Sequence, residues 1–305
     1  MSPRVTIGLS YMNNEDTLPL VLASIFAQSF CDWELLLVDD GSTDGSSEIA
    51  RSIQDPRVRA ISDGQNKGLS TRLNEIADLA TSELLARMDA DDLMHPKRLE
   101  RQVEFLDKYP QVDVVGTGIY SVDRKYRVVG SRCITKLAIS PAAVLKRSVF
   151  SHPTIMGRTR WFRSNRYDPS FVRAEDRELW CRTFQTSKFA LMDDFLLFYR
   201  EVGVFNITKY LKSTITDRKI LKRYGPSLVG IPTTCVFYAY SHLKSMLYRA
   251  AVLVRVEDLL VKARNSRLSP SQIAEAESVV CKIKNIEVPG LFFRKAVCNK
   301  EGHFE

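Results

Sequence analysis

The fold is decided by the stretch Glu34-Leu35-Leu36-Leu37-Val38-Asp39-Asp40-Gly41-Ser42-Thr43-Asp44, an apolar run that ends in acidic residues. A second stretch repeats the pattern, because Leu84-Leu85-Ala86-Arg87-Met88 is followed by Asp89-Ala90-Asp91-Asp92. Each apolar run predicts a buried strand with its acids at the carboxyl end, the edge where open α/β sheets bind ligands. Neighbouring carboxylates repel each other. The two clusters therefore indicate a bound cation. Oxygen ligands suit Mg²⁺ or Mn²⁺, and such an ion would hold a diphosphate.

Predicted strands and helices alternate around these two stretches. The apolar spacing predicts strands at 5–10, 34–38, 58–61 and 84–88, and helices at 17–28, 46–53, 69–80 and from about Pro96. Repeated β-α-β units predict an α/β fold with a mostly parallel sheet flanked by helices. Further on we expect strands at 112–119 and 120–130, helices at 141–150 and 175–186, and two short strands within 189–200.

Length and composition are those of a globular protein. The chain has 305 residues, 45% hydrophobic and 26% charged, which allows one or two domains. It enters a strand at Val5 without an apolar signal-peptide core, so we expect no secretion. Its six cysteines are scattered without a C-x-x-C pair, which argues against a zinc site and a disulfide framework. A cytoplasmic location is expected.

The net charge of +8 is concentrated in the last third of the chain. Residues 206–305 contain 17 Lys and Arg against 8 Asp and Glu, and we expect them to form a basic helical region. Such asymmetry favours an anionic partner, for which a membrane surface and a phosphate-bearing acceptor are both open, beside a merely solvated basic face. No zinc-finger, RRM or KH signature is present, so nucleic acid is not expected.

This basic region contains a heptad-like apolar stripe. Its members follow alternating steps of four and three: Val236, Tyr240, Leu243, Leu247, Ala250 and Val254. Such a stripe usually packs into a core, and a partner helix or a membrane surface is the alternative. The uncharged run 225–243 contains Pro226, Pro232 and His242, which argues against a membrane-spanning helix.

Five motifs in this order resemble the family 2 inverting glycosyltransferases, which have the GT-A fold. The segments that carry the resemblance are Val5–Asn14, Val38–Asp44, Asn66–Asn74, Met88–Asp92 and Ala174–Trp180. The resemblance covers roughly residues 4–200. It implies a transferase domain at 1–205, with a nucleotide-sugar half at 1–100 and an acceptor half at 101–205, followed by the helical extension at 206–305.

The resemblance implies a donor site built from the two acidic clusters. Asp91 matches the metal position, Asp89 the acid near the ribose, and Asp92 assists either. Asp39 contacts the nucleotide base, and Asp40 serves the ribose or holds its loop.

Three further residues are expected near the nucleotide. Arg72 lies on the helix after Asn66-Lys67-Gly68, where a guanidinium suits a diphosphate or a base. Ser10 and Glu15 bound a turn that replaces the family's P-T-Y-N pattern, and the missing proline leaves the details of this loop open.

The acceptor site requires a general base. By resemblance this is Asp176, while Glu175 positions the acceptor or the donor hydroxyls. His152, in a His-Pro-Thr motif, contacts the donor diphosphate or the acceptor or is structural. Trp180 is a core residue or a sugar platform, and Arg200 is expected near the diphosphate.

The resemblance implies a metal-dependent inverting glycosyltransferase of bacterial surface polysaccharide synthesis. The expected donor is a nucleotide-diphospho-sugar, with UDP favoured, and the acceptor is a glycan or a lipid-diphosphate-linked sugar. Peripheral contact of 206–305 with the inner membrane face and a homo-oligomer remain open. The alternatives are a nucleotidyltransferase of related fold and an inactive sugar-nucleotide-binding or oligomerisation module. Neither a P-loop nor a dinucleotide glycine motif occurs, so ATP and NAD are not expected.

Overall fold

A computed structural model describes residues 2–132, 139–201, 207–253 and 266–291. Its strands are β1 Val5–Tyr11, β2 Trp33–Asp39, β3 Val58–Ser62, β4 Leu84–Asp89, β5 Leu93–Met94, β6 Val114–Val122, β7 Val128–Arg132, β8 Met156–Arg158 and β9 Phe189–Arg200. Its helices are α1 Leu18–Phe26, α2 Ser46–Ser52, α3 Leu69–Leu79, α4 Arg98–Lys108, α5 Pro141–Lys146, α6 Thr159–Ser164, α7 Glu175–Thr183, α8 Ile207–Val229, α9 Ile231–Leu253 and α10 Pro270–Lys284. A single 3₁₀ turn covers His152–Thr154.

The strands form one sheet in the order β3-β2-β1-β4-β8-β6-β9-β5, and β7 pairs with β6. The pairs β3–β2, β2–β1 and β1–β4 are parallel, as the repeated β-α-β pattern predicts. Beyond β4 the sheet is mixed, since β8 runs antiparallel to both of its neighbours and only β6–β9 is parallel. Because β1, β2 and β4 are parallel, their carboxyl ends lie together at one edge of the sheet.

Tight packing against the parallel half sets the position of that edge. β1 and β2 are buried along almost their whole length, as expected for strands covered on both faces. At Gly8 a Cβ atom would lie 2.3 Å from Cγ2 of Ile76 on α3, so glycine allows this helix to approach the strand. The approach positions the amino-terminal end of α3 beside the loop after β2.

Three predicted elements differ in the structure, and the first is the helix predicted at 141–150, which ends at Lys146 as α5 because the chain is extended at Arg147. Residues 189–200 form one twelve-residue strand, because irregular register with β6 near Gly116 and Gly118 absorbs the break that the sequence indicated. Helix α4 begins at Arg98 and not at Pro96, which lies in the preceding turn. The strands predicted at 112–119 and 120–130 correspond to β6 and β7, which pair as an antiparallel hairpin.

Helices α8 and α10 pack onto the part of the structure that contains the sheet, and α9 packs onto α8. Helices α8 and α9 form an antiparallel pair, since Thr214 contacts Ser245 and Gly225 contacts Thr234. Helix α8 also contacts α5 and α7, and α10 packs against α1 and β7. The predicted boundary at 205/206 lies outside the described residues. Among the described cysteines, Cys281 is disulfide-bonded, although the cysteine spacing argued against a disulfide framework, and Cys31, Cys181 and Cys235 are free.

The heptad-like stripe does not pack into the core. Val236, Tyr240, Leu243 and Leu247 are all more than half exposed on α9, while Val254 lies outside the described residues. The expectation of core packing is therefore wrong for these four positions, because the polar side of the helix faces α8. Within the described part of the chain no helix is long and apolar enough to cross a membrane.

Candidate active site

The turn after β4 brings three carboxylates together. One oxygen each of Asp89, Asp91 and Asp92 lies within 4.8 Å of the others, and we name these residues the β4 cluster. Asp92 is almost completely buried, and its Oδ1 accepts a hydrogen bond of 2.8 Å from the backbone N–H of Arg200. Its Oδ2 is buried and has no hydrogen-bond partner in the described part of the chain. The cluster therefore holds a buried carboxylate oxygen that the described residues leave unsatisfied.

Proximity and burial perturb this cluster. Burial, and then the charge of Asp89, raises the pKa of Asp91 to about 6. Burial also raises the pKa of Asp92, followed by the charges of Asp89 and Asp91. A divalent cation would relieve both effects, and three carboxylates with a free buried oxygen are a donor set that fits Mg²⁺ or Mn²⁺.

Two guanidinium groups border the β4 cluster. Arg87 on β4 pairs with Asp89, with 2.6 Å between Nη2 and Oδ1. Arg200 ends β9, and its Cζ lies 5.6 Å from the ring centroid of Tyr126. Among the described residues, the Nε atoms of both arginines are buried without a hydrogen-bond partner. Such N–H groups are suited to an anion, and the contact of Arg200 with a diphosphate stays a prediction.

A second group lies where α7 begins. His152, Glu175 and Asp176 each offer a ligand-type atom within 4.8 Å of the others, and we name them the α7 cluster. Ala174, with φ of 54°, turns the chain into α7. Both acids then lie in the first helical turn, where the helix dipole favours negative charge. The structure thus brings together three residues that the sequence analysis selected separately.

Hydrogen bonds and burial distinguish the members of the α7 cluster. His152 Nε2 lies 2.8 Å from Tyr167 Oη, and its Nδ1 lies 3.5 Å from Glu175 Oε1. Burial, and then the charge of Arg87, lowers the pKa of His152 to about 3, so the imidazole is neutral. Burial raises the pKa of Glu175.

Asp176 is the more accessible of the two α7 acids. Glu175 is buried, whereas Asp176 is only partly buried. Ser148 Oγ donates a hydrogen bond of 2.6 Å to Oδ2 of Asp176, which fixes the carboxylate. Accessibility and a fixed orientation are what a general base needs.

Arg87 links the two clusters, and the sequence analysis did not select it. Burial alone would lower its pKa, but nearby acids raise it, Asp89 first among them and then Glu175 and Asp176. The same guanidinium therefore acts on both acidic groups. The available signal was a charged residue inside an otherwise apolar strand, two positions before Asp89.

Asp39 lies at the end of β2 and is nearly fully buried. Its Oδ1 accepts 2.9 Å from the Ser42 N–H, while Oδ2 accepts 2.5 Å from Ser47 Oγ and 2.9 Å from Ser62 Oγ. Burial acts to raise the pKa of Asp39, but these donors, Ser42 first, outweigh it and lower the pKa. The carboxylate is ionised, with Oδ1 receiving one hydrogen bond.

Asp40 and Arg72 hold the loop before α3. Asp40 accepts backbone N–H bonds from Lys67 (2.7 Å) and Gly68 (3.1 Å), and Arg72 Nε donates to it at 3.0 Å. The remaining N–H groups of the fully buried Arg72 contact three other residues, namely Asp63, Gln65 and Glu75. All five donors of this guanidinium are thus engaged within the chain. The contact with a diphosphate or base that was predicted for Arg72 has no free donor in this arrangement.

The remaining predicted residues have distinct positions. Ser10 on β1 pairs in register with Val38 of β2 on one side and with Asp89 of β4 on the other. It therefore lies between the acidic residues that follow β2 and those of the β4 cluster. Glu15 accepts 2.7 Å from the Gly45 N–H, so it braces the loop after β2.

Trp180 is fully buried and stacks on Trp161 at 6.1 Å, with Phe150 and Phe189 edge-on. The alternative that Trp180 is a sugar platform is therefore wrong for this structure, because no face of its ring reaches the surface.

The family model described as Glycosyl transferase family 2 matches residues 6–172. EpsE of Bacillus subtilis, which is named as a glycosyltransferase, is 38% identical over 189 residues, covering 60% of this chain and 67% of that protein. WfgD of Escherichia coli is 23% identical over 182 residues, covering 58% and 68%, and is named a UDP-Glc:α-D-GlcNAc-diphosphoundecaprenol β-1,3-glucosyltransferase.

A solved structure has the same fold. The mannosyltransferase PcManGT of Pyrobaculum calidifontis, in complex with GDP-Man and Mn²⁺, superposes with a TM-score of 0.55 and 17% identity. The match covers 92% of this chain and 81% of that one. This likeness confirms the predicted fold class, a GT-A-like α/β sheet flanked by helices with additional helices at the carboxyl-terminal end.

Proposed function

The chain belongs to glycosyl transferase family 2, and on that premise we propose that it is a metal-dependent, inverting enzyme of surface polysaccharide synthesis. It moves a sugar from a nucleotide diphosphate to an acceptor hydroxyl. The observation that carries the proposal is the arrangement of the β4 and α7 clusters around the shared cation Arg87. The β4 cluster is suited to a metal ion and the diphosphate of the donor. The α7 cluster is suited to an acceptor hydroxyl that must lose its proton.

The β4 cluster is the donor half of the proposed site. Asp91 and Asp92 would hold Mn²⁺ or Mg²⁺, and Asp89 lies towards the ribose. When bound, the ion supplies a Lewis acid that neutralises charge on the diphosphate leaving group. The chain itself contributes the guanidinium groups of Arg87 and Arg200, whose Nε–H groups have no hydrogen-bond partner among the described residues and are suited to phosphate oxygens.

The α7 cluster is the acceptor half. Ser148 occupies Oδ2 of Asp176. Oδ1 is then the atom that takes the proton from the acceptor hydroxyl as this hydroxyl attacks the anomeric carbon. A single displacement inverts the configuration, so an α-linked donor gives a β-linked product. His152 and Glu175 lie beside Asp176 and orient the hydroxyl groups of the acceptor. Because Glu175 is buried, it is less accessible to the acceptor than Asp176.

The substrates follow from chemistry and likeness together. Asp39 Oδ1 can accept a second hydrogen bond from a base N–H such as that of uracil. A UDP-sugar donor and a lipid-diphosphate-linked acceptor are also what the name of WfgD states for that relative. We therefore favour a UDP-sugar and a lipid-linked or glycan acceptor.

Three variants test the proposed general base and the proposed metal ligand separately, with a control for unspecific effects of substitution. For Asp176→Asn we expect transfer to fall about 10²- to 10⁴-fold, while calorimetric binding of the UDP-sugar with Mn²⁺ stays unchanged. For Asp91→Ala, donor binding itself should weaken and lose its dependence on metal. Glu104→Gln, at an exposed position on α4, is the matched control and should leave both unchanged. Transfer by Asp176→Asn within tenfold of the wild type would exclude Asp176 as the base.

A further inference from the structure

Helix α9 carries its large apolar side chains on the outside. Five of them are 53–66% exposed: Val236, Tyr240, Leu243, Met246 and Leu247. At 100° per residue they fall within one sector of about 120°, which also contains the exposed Ala239 and Ala250 and no charged residue. We name this surface the α9 face. Contiguous exposed apolar surface of this kind marks an interaction site.

The opposite side of α9 explains why the helix has this orientation. Thr234 and Ser245 are buried against α8. Arg218 of α8 donates to the carbonyl oxygen of Ser241 at 3.1 Å and to Ser245 Oγ at 2.5 Å. The polar stripe thus has specific partners inside the protein. Rotating the helix to hide its apolar residues would break these hydrogen bonds, so the outward α9 face is built into the packing.

The helix pair that carries the α9 face is rich in basic residues. Residues 207–253 contain eight Lys and Arg against one acid, Asp217, and that acid is paired with Arg177 of α7. Lys244 and Arg249 are exposed on α9 and border the apolar sector on its two sides. An amphipathic helix with basic residues beside its apolar face is the pattern of helices that lie in a membrane interface.

From the apolar sector, the inward polar stripe and the basic border, we propose that the α9 face docks the protein on an anionic lipid bilayer. The helix lies in the plane of the headgroups, with Leu243 and Leu247 inserted and Lys244 and Arg249 at the phosphates. It does not cross the bilayer, in agreement with the hydropathy of the described helices.

A second copy of the chain fits this surface less well. Pairing two α9 faces would bring two strongly basic helix pairs together, each with Lys244 and Arg249 at the border of the contact. Like charges at such a border are unfavourable. Anionic headgroups instead complement the basic border and the apolar sector at the same time.

The docking surface is joined to the proposed acceptor half. Asp217 of α8 pairs with Arg177, which follows Asp176 on α7. Docking through α9 would therefore hold the helix of the general base near the bilayer, as a lipid-linked acceptor requires. This consequence rests on the proposed function, whereas the docking itself does not.

Vesicle flotation of the full chain tests the proposal. We expect the protein to float with vesicles of phosphatidylglycerol and phosphatidylcholine, and much less with phosphatidylcholine alone or at high salt. Leu243→Ser with Leu247→Ser should reduce partitioning at least about tenfold. Lys244→Gln with Arg249→Gln should reduce it about fivefold per charge removed. Val129→Ser, at an exposed valine on β7, is the matched control and should bind like the wild type.

Other outcomes would overturn the proposal. No flotation with anionic vesicles, together with a dimer that Leu243→Ser and Leu247→Ser dissociate, would assign the α9 face to a second copy. No flotation from a monomer would mean that another part of the chain covers this face. Flotation with neutral vesicles equal to that with anionic vesicles would exclude a contribution of anionic headgroups to docking. Because none of these measurements uses transfer activity, they remain valid if the proposed function fails.

Discussion

Replacing Asp91 with asparagine should stabilise the metal-free protein. Burial and the charge of Asp89 raise the pKa of Asp91 from 3.8 to about 6. A shift of roughly two pH units corresponds to about 3 kcal/mol of unfolding free energy. The folded state binds this proton more tightly than the unfolded state, so stability falls as the pH rises from the unfolded pKa through the folded one. The asparagine side chain is neutral at every pH and should recover most of that free energy at about pH 7.5.

Urea unfolding in EDTA measures this effect directly. At pH 7.5 the variant should exceed the wild type by up to about 3 kcal/mol, and at pH 4.5 by only about 1 kcal/mol, because Asp91 is then protonated in the folded wild type. Adding Mn²⁺ at a hundred times its dissociation constant should stabilise the wild type by about 2.7 kcal/mol. The variant should gain much less from the metal.

The same substitution at Asp39 is the matched control and should have the opposite sign. Its donors, Ser42 first, outweigh the effect of burial and lower its pKa. Asp39→Asn should therefore cost about 1–3 kcal/mol at pH 7.5, and the cost should shrink as the pH falls through the folded pKa. If Asp91→Asn is no more stable than the wild type in EDTA, or if its gain is equal at both pH values, the electrostatic reasoning is refuted.

Two further predictions concern residues at and behind the site. Arg87→Met should cost about 3 kcal/mol of stability, since it leaves the acids of both clusters without their shared cation, and should weaken UDP-sugar binding. Arg87→Lys should restore part of the lost UDP-sugar binding, measured by calorimetry, and part of the lost stability, measured by thermal melts. Trp180→Ala should cost about 3–5 kcal/mol in urea unfolding but leave the KM for the acceptor unchanged, whereas a raised KM with normal stability would return Trp180 to the sugar site.

The first half of the fold was predictable because its signals are local. The runs that became β2 and β4 are largely apolar and end in acids, so strand, burial and sheet edge all follow from one pattern. The division of 189–200 into two strands failed for a non-local reason. Whether a strand continues past an irregular point depends on its neighbour, and β6 supplies Gly116 and Gly118 where β9 departs from regular register.

The candidate site was predictable by residue type but not by partner. Asp91 and Asp176 could be selected from motifs. The engagement of all five donors of Arg72 could not, because it depends on Asp63 and Gln65 in a loop without a motif. The prediction that the apolar stripe on α9 packs into the core was wrong for a similar reason. Heptad spacing identifies an apolar face, but the partners that turn the polar face inward lie on another helix, with Arg218 of α8 among them.

Asp39 and Asp91 end similar stretches of sequence, yet they have opposite electrostatic states. The chain provides Asp39 with donors, so its charge is stable before any ligand arrives, and a neutral group such as a base N–H can bind without disturbing it. Asp91 is buried beside another acid and is destabilised by its own charge. An incoming cation relieves that cost on binding, so the unfavourable state of the free site becomes part of the affinity for metal and diphosphate. The two acids therefore suit different halves of a nucleotide-sugar, and they differ because Ser42, Ser47 and Ser62 surround only one of them.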